Sequence, residues 1–274
     1  MSETAPARHD LPFWLDGARP AVVGHRGNAA HSPENTLGSF REAIGADAVE
    51  TDLQLSADQV PFLLHDDTLE RTTDAVARGF DPDAPASAVP WERLGSLDAG
   101  SWFGATFDGE RLALLDDLAA LLVETLDGPT PLGLDLEIKS PVAHAAQTVV
   151  TVVAASLASP SWQRLIAARA VLVTTFDPEV AQLACQQLPV PVGLLTPAAP
   201  APEELGALAE VGLAAIVTAH DDLTEAVVSA AREVGLAVGV YTANEPSDWD
   251  RLVRLDVDLV VTDDPHALLR HLGR

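Results

Sequence analysis

Eight short apolar runs, each followed by a helix-compatible stretch, alternate through the 274 residues of the chain. That rhythm predicts an α/β protein of the TIM (β/α)8 barrel type. The runs lie at 21–24, 47–53, 132–138, 170–174, 190–195, 214–217, 236–241 and 257–261. They are rich in Val and Leu, as parallel strands covered on both faces must be. No linker-like stretch divides them, so one domain is expected over 20–274. Residues 1–19 carry acids and Pro and no apolar core of secretory type, and are expected to form a flexible, solvated extension.

The first run, Ala21-Val22-Val23, leads into Gly24-His25-Arg26-Gly27. Ser32-Pro33-Glu34 then reads as an N-cap, a Pro at N1 and an acid in the first turn. Leu37, Phe40 and Ile44 recur at helical spacing, and Gly45 closes the helix. This accounts for Glu34 and Asn35 as ordinary helix-start residues. The second run carries Glu50 and Asp52, two apart on a strand and therefore on one face. Two hard oxygen ligands side by side repel unless a cation lies between them, and oxygen-rich sites favour Mg²⁺ or Ca²⁺. Only 56–59 separates this run from the arm at 60–64, too little for a parallel crossover, so the pair must be an antiparallel hairpin. Folding it about Ala57-Asp58-Gln59 brings His65 back beside Thr51, flanked by Glu50 and Asp52.

Residues 67–111 break the rhythm. They are rich in Gly, Pro and Asp yet hold Trp91, Trp102, Phe103 and Phe107, more aromatics than a linker needs. This is expected to be a small loop-rich insertion, its aromatics forming a satellite cluster or a pocket wall. Regularity returns with a helix at 114–126 and the strand at 132–138. Alternation puts Asp135, Glu137 and Lys139 on one face, with Glu137 and Lys139 at the C-terminal end where TIM-barrel sites gather. Glu137 is then a third carboxylate ligand and Lys139 an anion contact or an ion-pair partner of Glu137; Asp135 sits deeper and is taken as structural. Ser140-Pro141 is expected to cap a helix running to about 156, and Asp177-Pro178 one running to 188. Phe176 and Tyr241, at strand ends, are expected to floor the pocket. Asp263-Asp264-Pro265 suits a cap for the last helix. His31, His144 and His220 read as solvated or capping, and His9, His266 and His271 receive no role. Gly24-x-x-Gly27 lacks the second half of a nucleotide-binding fingerprint.

Bulk properties set the limits. A hydrophobic fraction of 47% excludes a disordered chain, and Cys185, the one cysteine, excludes a disulfide framework or thiolate metal site. A net charge of −25 argues against nucleic acid and against stable association with an anionic membrane. The most apolar stretch, 148–158, is too short to span a bilayer, and a cytoplasmic location is expected. Any anionic ligand would require a divalent cation and local Arg and Lys to reverse the field at the mouth.

Taken in order, His25-Arg26-Gly27, Pro33-Glu34-Asn35-Thr36, Glu50-x-Asp52, His65-Asp66, Glu137-Ile138-Lys139, Tyr241-Thr242-Ala243-Asn244 and Val261-Thr262-Asp263-Asp264-Pro265 resemble the glycerophosphodiester phosphodiesterases. The resemblance runs from about residue 20 to the end of the sequence. It implies cation-dependent cleavage of a small glycerophosphodiester to glycerol 3-phosphate and an alcohol, with His25 and His65 as acid and base. Arg26 and Lys139 would supply positive charge for the phosphoryl oxygens. The attacking hydroxyl is water or the substrate's own glycerol hydroxyl. Tyr241 stands where the family often has Trp, and 67–111 resembles the excursion the family inserts above its barrel. Two alternatives stay open: a lysophospholipase-D-like or cyclising enzyme acting on lysolipids, and a catalytically silent barrel that binds phosphodiesters.

Overall fold

In the computed structural model, which describes residues 11–140 and 142–274, eight parallel strands close into a barrel. They are β1 (Ala21–Gly24), β2 (Ala48–Leu55), β4 (Gly133–Ile138), β5 (Val171–Thr175), β6 (Val192–Thr196), β7 (Ala215–Ala219), β8 (Ala237–Tyr241) and β9 (Leu259–Thr262). Neighbours run β1-β9-β8-β7-β6-β5-β4-β2, and β1 pairs back onto β2. The remaining strand, β3 (Pro61–Leu63), is the antiparallel hairpin arm. Its register of Leu53 to Leu63 and Leu55 to Pro61, carried two residues on, sets His65 opposite Thr51 as the sequence predicts.

Alternation divides the core in two. Val49, Leu53, Leu134, Leu136 and Ile138 pack outward with residues of the surrounding helices. Ala21, Val23, Ala48, Leu172 and Leu259 fill the barrel interior. The floor of that interior corrects the expectation of a solvated extension over 1–19. Residues 1–10 lie outside the described residues, but Leu11, Trp14 and Leu15 are buried against the inner cluster. Trp14 donates its indole N–H to the Ala170 carbonyl at 3.0 Å. Gly133 makes room for it: a Cβ there would lie 2.0 Å from the Trp14 ring.

Helices α1 (Leu37–Glu42), α3 (Leu115–Leu126), α6 (Pro178–Gln187), α8 (Glu225–Glu233), α9 (Pro246–Leu255) and α10 (Pro265–His271) follow the expected alternation, with a short α7 (Leu205–Glu210) after β6. Asp177 caps α6 by accepting from Glu179 N and Val180 N. Two helix starts differ from expectation, and one helix is additional to it. Helix α1 starts at Leu37 with Thr36 as its cap, because Asn35 takes a left-handed φ of 58° that no helix start tolerates. Helix α4 (Ala146–Leu157) begins well after Ser140, and Pro141 lies outside the described residues. The His144 ring bonds the Ser56 carbonyl at 2.9 Å, which ties this connection to the hairpin turn instead. An additional helix, α5 (Pro160–Ala167), opens at Ser159-Pro160 and buries Trp162 completely.

The 67–111 insertion carries a core of its own: Leu69, Ala75, Ala86, Val89, Leu94, Leu97 and Ala99 pack with Phe62 and Leu64 of the hairpin arm. Within it lies α2 (Trp91–Leu94), whose Trp91 sits 6.0 Å from Phe62, centroid to centroid. Trp102, Phe103 and Phe107 form a separate edge-to-face row. The satellite-cluster alternative therefore describes this segment.

Candidate active site

The C-terminal ends of β1, β2 and β4 and the end of the hairpin converge on one cavity of about 270 Å³. Its lining includes His25, Arg26, Glu50, His65, Glu137, Phe176 and Tyr241. Backbone geometry brings His25 and Arg26 there. His25 N still donates to Thr262 O like a strand residue, after which Arg26 (φ 50°) and Gly27 (φ 94°) turn the chain sharply. A Cβ on Gly27 would come 2.4 Å from Ser39 Oγ, so this position requires glycine. The turn aims Arg26 N at Glu50 Oε2, 2.9 Å away.

Glu50, Asp52 and Glu137 each offer an oxygen within 4.8 Å of the others, and all three are buried. Asp52 and Glu137 are register partners on adjacent strands. Burial, then the charges of Asp52 and Glu137, push the Glu50 carboxyl well above the carboxylate range. Burial and Asp52 likewise raise Glu137 to about 7, against the opposing pull of Lys139. Burial acts the same way on Asp52, but Lys139, Arg26, His65 and a hydrogen bond from Asn35 outweigh it and hold Asp52 low. Lys139 Nζ lies 2.7 Å from Glu137 Oε1 and 3.4 Å from Asp52 Oδ1. The ion pair foreseen for Lys139 is therefore formed at the edge of the cluster. Three hard oxygen donors crowded until two of them resist ionisation fit a divalent cation.

Each histidine has a carboxylate on Nδ1: His25 with Asp263 Oδ1 at 2.6 Å, and His65 with Asp66 Oδ1 at 2.7 Å. An ionised carboxylate only accepts, so Nδ1 carries the proton and Nε2 is left for the cavity. Burial lowers the His65 pKa, joined by Arg26 and Lys139, while Asp52 and Asp66 oppose. On the far side, Phe176 and Tyr241 stand edge to face at 5.7 Å, and Tyr241 Oη donates to the Thr196 carbonyl. Asp135, taken from sequence as structural, lines the cavity floor, accepts from Thr174 Oγ1 at 2.7 Å and is raised to about 7, chiefly by burial.

Several residues at this site escaped the sequence reading. Asp263 accepts from His25 and from Asn244 Nδ2, while Asp264 alone caps α10. Two adjacent aspartates before one Pro carried the signal, since only one can be the cap. Glu34 and Asn35 are not helix-start residues. Asn35 donates to Asp52 Oδ2 at 2.8 Å and accepts from Thr51 Oγ1, and Glu34 accepts from Arg26 and Arg71. His31, His144 and His220 bond Asp264, Ser56 O and Arg251 respectively, away from the cavity. His9 lies outside the described residues. None of Trp91, Trp102, Phe103 and Phe107 lines the cavity.

Known proteins resemble this chain in sequence and fold. A glycerophosphodiester phosphodiesterase of Caldanaerobacter subterraneus subsp. tengcongensis is 26% identical over 257 residues, covering 90% of this chain and 96% of the relative. A putative glycerophosphodiester phosphodiesterase of Bacillus subtilis, YhdW, is 36% identical over 126 residues, which span 43% of this chain and about half (49%) of that protein. The solved structure of an Oleispira antarctica phosphodiesterase, in complex with the product sn-glycerol-3-phosphate, superposes with a TM-score of 0.81 at 27% identity. That match covers 93% of this chain and 97% of the other. The sequence model of one family spans residues 25–267, and the chain belongs to it: the glycerophosphoryl diester phosphodiesterase family.

Proposed function

We propose that this protein hydrolyses glycerophosphodiesters to glycerol 3-phosphate and a free alcohol, using a divalent cation, Mg²⁺ or Ca²⁺, held by Glu50, Asp52 and Glu137. The observation that carries the reading is a cluster of three buried carboxylates, of which Glu50 and Glu137 line the same cavity as two imidazoles each anchored through Nδ1. When bound, the cation supplies Lewis-acid stabilisation of phosphoryl charge. The protein's own groups do the rest. Arg26 and Lys139 attract and orient the monoanionic diester. One of His25 and His65, neutral and unprotonated at Nε2, takes the proton of the attacking hydroxyl as its oxygen bonds phosphorus. The other, entering as an imidazolium, gives its Nε2 proton to the departing alkoxide as that P–O bond breaks. Asp263 and Asp66 keep the two rings in the required tautomer. Phe176 and Tyr241 give the glycerol carbons an apolar wall.

Size favours a small substrate. The cavity of about 270 Å³ is at the small end of ligand pockets. The presence of both histidines and all three carboxylates favours catalysis over silent binding.

The test is release of glycerol 3-phosphate from glycerophosphocholine and glycerophosphoethanolamine with EDTA, Mg²⁺ or Ca²⁺. Turnover should appear with cation and vanish with EDTA. His25→Ala and His65→Ala should each abolish it with the fold intact, and Glu50→Ala should also weaken cation binding. Persistent turnover in both histidine variants would overturn the acid–base assignment.

A further inference from the structure

Resting on the proposed phosphodiesterase reading, we infer that Arg71, in the insertion and outside the cavity lining, is a positioning residue that locks Arg26 and His65 into one frame through Glu34 and Asp66.

The contacts form an unbroken chain. Asp66 Oδ1 accepts from His65 Nδ1 at 2.7 Å and from Arg71 Nη2 at 2.9 Å, and Asp66 Oδ2 accepts from Arg71 Nε at 2.5 Å. Arg71 then reaches across to the other loop, where Nη1 donates to Glu34 Oε2 and Nη2 to Glu34 Oε1, both at 2.7 Å. Glu34 Oε1 accepts in turn from Arg26 Nη1, also at 2.7 Å. One planar guanidinium thus grips two carboxylates, each of which holds a residue that lines the cavity. A lysine presents a single ammonium and cannot make both forks at once.

The insertion gives Arg71 a fixed base. Leu69 is buried in the satellite core, Thr72 and Thr73 are buried beside it, and Thr73 Oγ1 donates to the Leu69 carbonyl. Folding of 67–111 is thereby coupled to the geometry of the site, although its aromatic residues lie elsewhere. Near-attack alignment of reacting groups is steep in distance, and a displacement of ~1 Å costs about 100-fold in rate.

Arg71 is half exposed, so Arg71→Met keeps the chain length and removes every donor without opening the core. The measurements are kcat and KM for glycerophosphocholine, inhibition by inorganic phosphate, and the urea midpoint. Arg71→Met should lose about 100-fold in kcat/KM per folded molecule, with both lower kcat and weaker phosphate inhibition, whatever the modest fall in the urea midpoint from the lost ion pairs; Arg71→Lys should restore only part. Glu34→Gln should chiefly weaken phosphate inhibition, and Asp66→Asn should chiefly lower kcat. Combining Arg71→Met with either should add little to the loss of Arg71→Met alone, because Arg71→Met already breaks both paths. Wild-type kinetics in Arg71→Met, or fully additive losses in the double variants, would overturn the inference. If Arg71→Met does not fold, the same comparison on Arg71→Lys decides it. Failure of the wild-type protein itself to release glycerol 3-phosphate would instead overturn the reading on which it rests.

Discussion

Replacing Glu137 with Gln should make the cation-free protein more stable at pH 8 and leave its stability at pH 5 nearly unchanged. The Glu137 carboxyl is raised from 4.5 to about 7 by burial and by Asp52, with Lys139 opposing. A raised folded-state value means that the folded chain binds the proton more tightly than the unfolded chain. The associated stability is fully present below about pH 4.5 and is lost as pH rises through 7. A difference of ~2.5 pH units at about 1.4 kcal/mol each comes to on the order of 3 kcal/mol at pH 8. Gln carries no charge and avoids that loss. The assay is urea unfolding in EDTA at pH 5 and pH 8, beside calorimetric titration with Mg²⁺ and Ca²⁺. The variant should gain up to about 3 kcal/mol at pH 8, gain little at pH 5, and lose cation affinity at both. A variant that is less stable than the parent at pH 8 would refute the reasoning. Glu137 would then be held chiefly by its ion pair with Lys139 and would not be a strained ligand awaiting a cation.

Further outcomes follow from the same geometry. Asp263→Asn frees the His25 ring to adopt the wrong tautomer and should lower kcat by at least about 100-fold, with unfolding unchanged. Asn35→Gly tolerates the 58° φ but removes the support of Asp52; cation affinity by calorimetry should fall roughly 10- to 100-fold. Trp14→Ala vacates the barrel floor and should cost about 3–5 kcal/mol in urea unfolding, while kcat per folded molecule stays unchanged. Cation binding should strengthen as pH rises from 5 to 8, because protons compete for Glu50 and Glu137.

What the sequence disclosed divides along physical lines. Strand alternation is local, so Glu50, Asp52 and Glu137 could be placed on the inner face from spacing alone. The hairpin is local too: a link over 56–59 left one register, which set His65 opposite Thr51. Asp263 lies 238 positions from His25, and no periodicity connects them, so its helix-capping neighbour concealed it. Asn35 was hidden for a different reason. The Ser-Pro-Glu pattern satisfies every rule for a helix start, and only the tertiary demand of Asp52 and Thr51 for an amide between them pulls Asn35 out of the helical region. Trp14 was overlooked because its partner is an absence, the missing side chain of Gly133.

The pairing of β1 with β9 orders events during synthesis. His25 leaves the ribosome early, but Thr262, which receives its backbone N–H, and Asp263, which holds its ring, belong to the last barrel strand and the turn after it. Until that strand docks, β1 lacks one of its two neighbours and the His25 ring has no carboxylate to set its tautomer. The contact that completes the His25 side of the site therefore joins the two ends of the barrel, and it is among those of longest sequence separation in the fold.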